Sequence, residues 1–315
     1  MQQRPLGRAG LSIAPLVFGG NVFGWTADRA TSFAILDRFV DAGFNAIDTA
    51  NSYSRWAPGH VGGESETIIG DWMAERGNRD RIVLITKVGS DMGQGHKDLS
   101  VGHIAQAAED SLRRLKTDRI DVYLSHWHDP QTPYEETLGA YDTLLKAGKV
   151  RSIGCSNHHA AQLREALDVA GARDLPRYDV LQPEYNLYDR DSFEGPLRDL
   201  AMAEEIGVIS YYGLARGFLS GKYRSEADLG QSPRGSGIGR YLNPRGFAIL
   251  DALESVGARH DASPAEVAVA WLIAKKGVTA PIASATSVAQ LESLLKAATL
   301  ELNAEDMAAL DNAGA

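Results

Sequence analysis

Eight short apolar runs, separated by segments of helical periodicity, constrain this chain more than any other feature of it. They are "PLVFG" (15–19), "FNAID" (44–48), "RIVLITK" (81–87), "RIDVYLS" (119–125), "VRSIGCS" (150–156), "YDVLQ" (178–182), "GVISYY" (207–212) and "VTAPIA" (278–283). Between them lie stretches such as "ATSFAILDRFVDAG" and "VGHIAQAAEDSLRRL", whose apolar residues recur every three or four positions as on one face of a helix. Alternation of strand and helix argues for parallel strands, and eight units argue for a closed (β/α)8 TIM barrel. An open doubly wound sheet would carry G-x-G-x-x-G after its first strand, and "FGGNVFGW" does not fit. Ahead of the first run, "RPLGRAGLSIAPLVFGG" turns at Arg8–Gly10 between two extended pieces, which predicts a β-hairpin before the barrel. A chain of 315 residues suggests two domains by length alone, but a barrel fills it as one, residues 1–315.

Charge narrows the partners. The net charge of −9, with acids spread along the chain, disfavours nucleic acid, which needs a basic face. No apolar run reaches membrane-spanning length, and "MQQRPLGRAG" lacks the apolar core of a signal peptide. The lone cysteine, Cys155, forbids an intrachain disulfide, so a cytoplasmic home is expected. Oligomeric state leaves no trace in the sequence.

In such barrels the chemistry lies where strands end. The second run ends at Asp48, with Tyr53 close behind, and the third ends at Lys87. His126 follows the fourth, Ser156 and Asn157 the fifth, Gln182 the sixth, and Tyr211 ends the seventh. Asp, Lys, Tyr and His at one mouth form a coherent acid–base set. A buried lysine lowers the pKa of an adjacent phenol, and a carboxylate holds the ammonium in place. The tyrosine then protonates a carbonyl oxygen that the histidine orients. Two connections, "NSYSRWAPGHVGGES" after the second run and 213–246 after the seventh, are long enough to be functional.

"GFNAIDTANSY", with Lys87 after "VLIT" and His126 after "VYLS", resembles the aldo-keto reductase family, and the likeness extends to "PIASATSVAQLESLL" near the C-terminus. The resemblance implies a catalytic tetrad of Asp48, Tyr53, Lys87 and His126, and reduction of an aldehyde or ketone by NADPH, less often NADH. It implies that Ser156, Asn157 and Gln182 hold the nicotinamide carboxamide and that Tyr211 stacks on the ring, with adjacent Tyr212 as an alternative. Gly20, Asn21, Leu214, Arg216 and Lys222 are further cofactor candidates by the same resemblance. At the eighth strand the chain departs from the family, whose members place a basic group against the 2′-phosphate and a Glu-Asn pair against the adenine. Here Ser284, Ser287 and Gln290 stand in the loop and helix, Ser293-Leu294 replaces Glu-Asn, and residues 282–295 contain no Lys or Arg. NADPH is still expected, with a smaller preference over NADH.

Trp25, Trp56, Trp127 and His128 follow strand ends and are expected to line a substrate pocket, although packing explains a tryptophan as readily. Cys155 has no base pattern beside it and reads as a small strand residue. His126-x-His128 also has the spacing of a metal pair, but a metal needs three or four converging ligands, and the later strand ends supply Gln182 and "PIASAT". No metal is expected. The remaining alternative is a regulatory module of the same fold, like channel-associated β subunits. An intact tetrad and the lack of an added N-terminal segment are expected of the enzyme instead.

Overall fold

In the computed structural model, residues 2–232 and 235–314 are described; Met1, Ala315, and Pro233 and Arg234 of the long loop lie outside them. An antiparallel hairpin, β1 (Arg4–Pro5) and β2 (Ser12–Ile13), precedes the main fold. Eight parallel strands follow: β3 (Val17–Gly19), β4 (Ala46–Asp48), β5 (Val83–Val88), β6 (Ile120–Ser125), β7 (Val150–Ser156), β8 (Val180–Gln182), β9 (Gly207–Ser210) and β10 (Ala280–Ala283). They close on themselves when β10 pairs with both β3 and β9. Each falls inside, or overruns by one residue, an apolar run of the sequence. The seventh stops short because Tyr211 leaves the ladder for an isolated bridge to Glu184.

Helices α1 (Arg29–Asp41), α2 (Glu64–Arg76), α3 (Val101–Leu115), α4 (Tyr134–Lys146), α5 (Ala160–Arg173) and α6 (Pro196–Ala203) each cross between successive strands. α7 (Pro244–His260) and α8 (Pro264–Ala274) precede β10, and α9 (Val288–Ala297) and α10 (Ala304–Ala313) follow it. α3 buries Ile104, Ala107, Ala108, Ser111, Leu112 and Leu115, the three-and-four spacing of one helical face. α8 begins with Pro264 and a capping box between Ser263 and Glu266, then buries every residue from Glu266 to Leu272.

Inside the barrel, Val17, Ala46, Ile85, Val122, Leu124, Val180 and Ile209 pack in one cluster with Leu6, Leu11 and Ile13 of the hairpin. The hairpin therefore plugs the end where the strands begin and leaves the opposite mouth for chemistry. Among the described residues no helix is long and apolar enough to cross a membrane.

The plug depends on one close approach. Gly7 sits at φ +54°, and a Cβ there would lie 2.2 Å from the backbone nitrogen of Gly207. Gly7→Ala must shift the hairpin off β9, at a cost of about 1–3 kcal/mol. Urea unfolding should show a lower midpoint with an unaltered barrel signal in far-UV circular dichroism. An unmoved midpoint would mean that the hairpin does not contribute to closing the barrel.

Candidate active site

Parallel register brings the chemistry together. Asp48 pairs with Ile85 and Lys87 with Leu124, so adjacent strands place both side chains at the same end of the barrel. The ladder continues past β4, with Thr49 N–H donating to the Ile85 carbonyl and Asn51 N–H to that of Lys87. The turn that follows carries Tyr53 back over the mouth. It is pinned by the Ser54 hydroxyl, which donates to the Phe23 carbonyl at 2.7 Å, with Ser54 itself at φ 71°.

Lys87 is fully buried. Its ammonium donates at 2.8 Å to Asp48 Oδ2, to the Thr49 carbonyl and to the Tyr53 hydroxyl, which engages all three of its donors. Tyr53 Oη donates onward to Asp48 Oδ2 at 3.1 Å, and the Gln182 amide donates to Asp48 Oδ1 at 2.8 Å. Burial lowers the lysine pKa, and Asp48 opposes that drop. The tyrosine is held well above the ordinary phenol range, first by burial and then by the nearby Asp48 charge. This reverses the direction expected from a neighbouring lysine alone. The carboxylate within hydrogen-bond reach of the phenol opposes a phenolate, and so does burial.

His126 flanks this trio, its ring 6.1 Å from that of Tyr53. Burial, then the Lys87 charge, pushes its pKa well below the usual value, so the imidazole is neutral. His128 points elsewhere. Its Nδ1 meets the Tyr134 hydroxyl at 3.1 Å, its ring lies 5.8 Å from that of His158, and it does not line the cavity. The expectation that His128 borders the substrate is corrected accordingly. Among the described residues, no three His, Cys, Asp or Glu side chains are grouped to hold a metal ion.

A cavity of about 940 Å³ opens over these residues. Ser156, Asn157, Gln182 and Tyr211 form one wall, tied to each other. The Ser156 hydroxyl donates to the Gln182 carbonyl at 2.8 Å, and Tyr211 Oη donates to Asn157 Oδ1 at 2.6 Å. Asn157 adopts φ 57°, and its amide donates to the His126 carbonyl at 2.9 Å. Helix capping is not what Ser156 and Asn157 do, because His159 caps α5. Tyr212 also lines the cavity, with the Arg216 guanidinium 4.6 Å from its ring centre. Leu214, Arg216 and Lys222 continue that wall. Across from them stand Asn21, Ser284, Gln290, Ser293 and Leu294, with Ser284 Oγ donating to Asn21 Oδ1 at 2.6 Å. Trp25, Trp56 and Trp127 line the entrance, Trp25 and Trp56 edge to face at 5.6 Å.

Two further candidates do not face the cavity. Gly20 packs against α2, accepting from Ser65 Oγ at 2.7 Å, and a Cβ there would lie 2.9 Å from that oxygen. Ser287 caps α9 by accepting from the Gln290 N–H. Cys155 is buried in β7, its thiol pushed up by burial, in accord with a packing role. Reading strand ends missed Ser52, Ser90 and Glu184, all of which line the cavity. Ser90 was within reach of that reading, being two residues beyond the end of β5.

The family model described as the aldo/keto reductase family matches residues 15–315. An uncharacterized oxidoreductase, YrpG, of Bacillus subtilis is 35% identical over 99% of this chain and 95% of that protein. A norsolorinic acid reductase of Emericella nidulans is 31% identical over 95% of this chain and 78% of its own length. A probable voltage-gated potassium channel subunit beta of rice is 33% identical over 94% and 91% respectively.

The buried pair makes a stability test possible. Lys87→Met leaves the Asp48 charge without its cation, which costs about 3–5 kcal/mol. Adding Asp48→Asn removes that charge, so the double variant should unfold at a higher denaturant concentration than Lys87→Met alone. Equal midpoints for the two would mean that the ion pair does not govern the stability of the mouth.

Proposed function

The chain belongs to the aldo/keto reductase family, and from that premise we propose that it reduces an aldehyde or ketone reversibly with NADPH, or NADH, Tyr53 being the general acid. The observation that carries this reading is the contact of Lys87 with Tyr53 and Asp48 on the cavity floor, with His126 beside them. A protonated phenol at neutral pH is the form an acid needs, and its upward-held pKa supplies it. When the proton leaves, the Lys87 ammonium, 2.8 Å away, stabilises the oxygen that remains. The neutral His126 directs the carbonyl oxygen towards Tyr53.

A nicotinamide cofactor, when bound, supplies the hydride. The wall of Ser156, Asn157 and Gln182 offers the hydroxyl and amide groups a carboxamide needs, and Tyr211 offers a ring face. Arg216 Nε is buried with no hydrogen-bond partner among the described residues, which fits a phosphate oxygen as its acceptor. Lys222 is the second cation of that wall. The tryptophans at the entrance suit an apolar or aromatic carbonyl compound, whose apolar body would be desolvated against their rings. The competing module reading, to which the name of the rice relative also points, has no need of this buried tetrad. Turnover of a generic aldehyde separates the two.

Tyr53→Phe removes the acid while leaving the ring in place. Carbonyl reduction should fall at least ~100-fold, with cofactor affinity nearly unchanged. A variant that keeps a tenth of the parent turnover would remove Tyr53 from the role.

The pocket beyond Ser284 sets a second expectation. Ser284 and Gln290 line it, but residues 282–295 carry no cation. Neutral hydrogen bonds to a phosphate are about half as strong as charge-assisted ones. Losing one charged partner lowers discrimination by roughly 1.5–3 kcal/mol. Dissociation constants for NADPH and NADH, from fluorescence quenching at two salt concentrations, should therefore differ only modestly. A thousandfold NADPH preference that collapses with salt would place the phosphate against a cation elsewhere.

A further inference from the structure

His126 is not free to choose which nitrogen carries its proton. Its Nδ1 lies 2.9 Å from the hydroxyl of Ser90, a buried residue. Ser90 Oγ also receives a hydrogen bond from Ser52 Oγ, a long one at 3.4 Å. A serine hydroxyl has one proton to give and two lone pairs to fill. Ser52 is the donor in its contact, so among the described residues His126 Nδ1 is the one acceptor in reach of the Ser90 proton. We propose that Ser90, backed by Ser52, is a positioning residue that holds His126 in the tautomer with Nδ1 as acceptor and Nε2–H as donor. The inference rests on the carbonyl-reduction reading, because only a donor at the second ring nitrogen can hold a carbonyl oxygen.

The surroundings support this assignment. Ser90 is fixed by its backbone, since the Gln94 amide donates to the Ser90 carbonyl at 3.2 Å and to that of His96 at 2.7 Å. Gln94 in turn accepts from Met92 N–H, and Asp91 accepts from the N–H groups of Gly93 and Gly95. The loop after β5 is thus cross-braced from within. On the other side, His126 N–H donates to the Val88 carbonyl at 2.7 Å, which ties the histidine backbone to the same strand end. The imidazole is neutral, so its tautomer is a real choice. Alone, an imidazole distributes its proton between the two nitrogens, and the partner at one of them decides which carries it.

The test uses the full chain. Long-range 1H–15N correlation spectra of histidine-labelled protein, without cofactor or substrate, should show His126 Nδ1 as pyridine-type and Nε2 as pyrrole-type; His126→Gln provides the assignment. Ser90→Ala should shift both signals towards the averaged tautomer values. It should also lower kcat about 3- to 10-fold, the weight of one neutral hydrogen bond, while cofactor dissociation constants stay within twofold. Ser90→Thr keeps the hydroxyl and should restore both the spectrum and the rate. A protonated Nδ1 in the parent protein would overturn the proposal. So would a Ser90→Ala variant with unchanged signals, whatever its rate. If the spectra behave as expected but no carbonyl compound is turned over with either cofactor, the reductase reading fails and the tautomer assignment stands.

Discussion

Lys87 carries a full charge to a point with no exposed surface, and the mouth of the barrel is arranged around that fact. An ammonium taken out of water costs several kcal/mol unless its donors and its charge are both met. Asp48 meets the charge, and Thr49 and Tyr53 complete the hydrogen bonds. The ion pair then dictates its neighbours. Asp48 needs further donors, which Gln182 and Tyr53 provide, and through Gln182 the pair is linked to Ser156 and the rest of the far wall. One buried charge thus connects strands β4, β5, β7 and β8.

The same environment shifts two titratable groups in opposite directions. Burial raises the Tyr53 phenol and depresses the His126 imidazole, so both are neutral hydrogen-bond donors near pH 7. Lys87, whose charge helps keep His126 neutral, also donates to the Tyr53 hydroxyl. Both shifts follow from burial around the Lys87–Asp48 pair.

The barrel was legible because its strands are buried on both faces and read as continuous apolar runs with helical segments between. That Asp48, Lys87 and His126 meet at one mouth was legible because parallel strands put their last residues at one end, so strand boundaries sufficed. What escaped depended on side-chain direction in loops. His128 and His126 are two residues apart, but β6 ends at Ser125, and beyond it alternation no longer governs which way a side chain points. Gly20 and Ser287 failed for a related reason. A turn against α2 and the cap of α9 satisfy local packing and backbone needs, and neither is visible as such in the letters. The direction of the Tyr53 shift was misjudged because the lysine was weighed without the burial and the carboxylate that accompany it.

The far end of the cavity obeys a different economy from its floor. Ser293 lines it, yet its hydroxyl donates to Glu266 Oε1 at 2.8 Å, so it presents an acceptor there. Lys296, the first cation after the stretch that lacks Lys and Arg, lies 3.4 Å from Glu266 Oε2 and also donates to the Asp261 carbonyl. That cation is held by α8 and the residues flanking it. Glu266 is itself fixed by the capping box that starts α8. The requirement for a well-capped, wholly buried helix beside β10 therefore draws both the serine and the nearest lysine towards a carboxylate. The cavity wall there is left polar and uncharged. On the floor a buried charge is met by Asp48, Thr49 and Tyr53; at the far end the helix keeps the charge for its own stability.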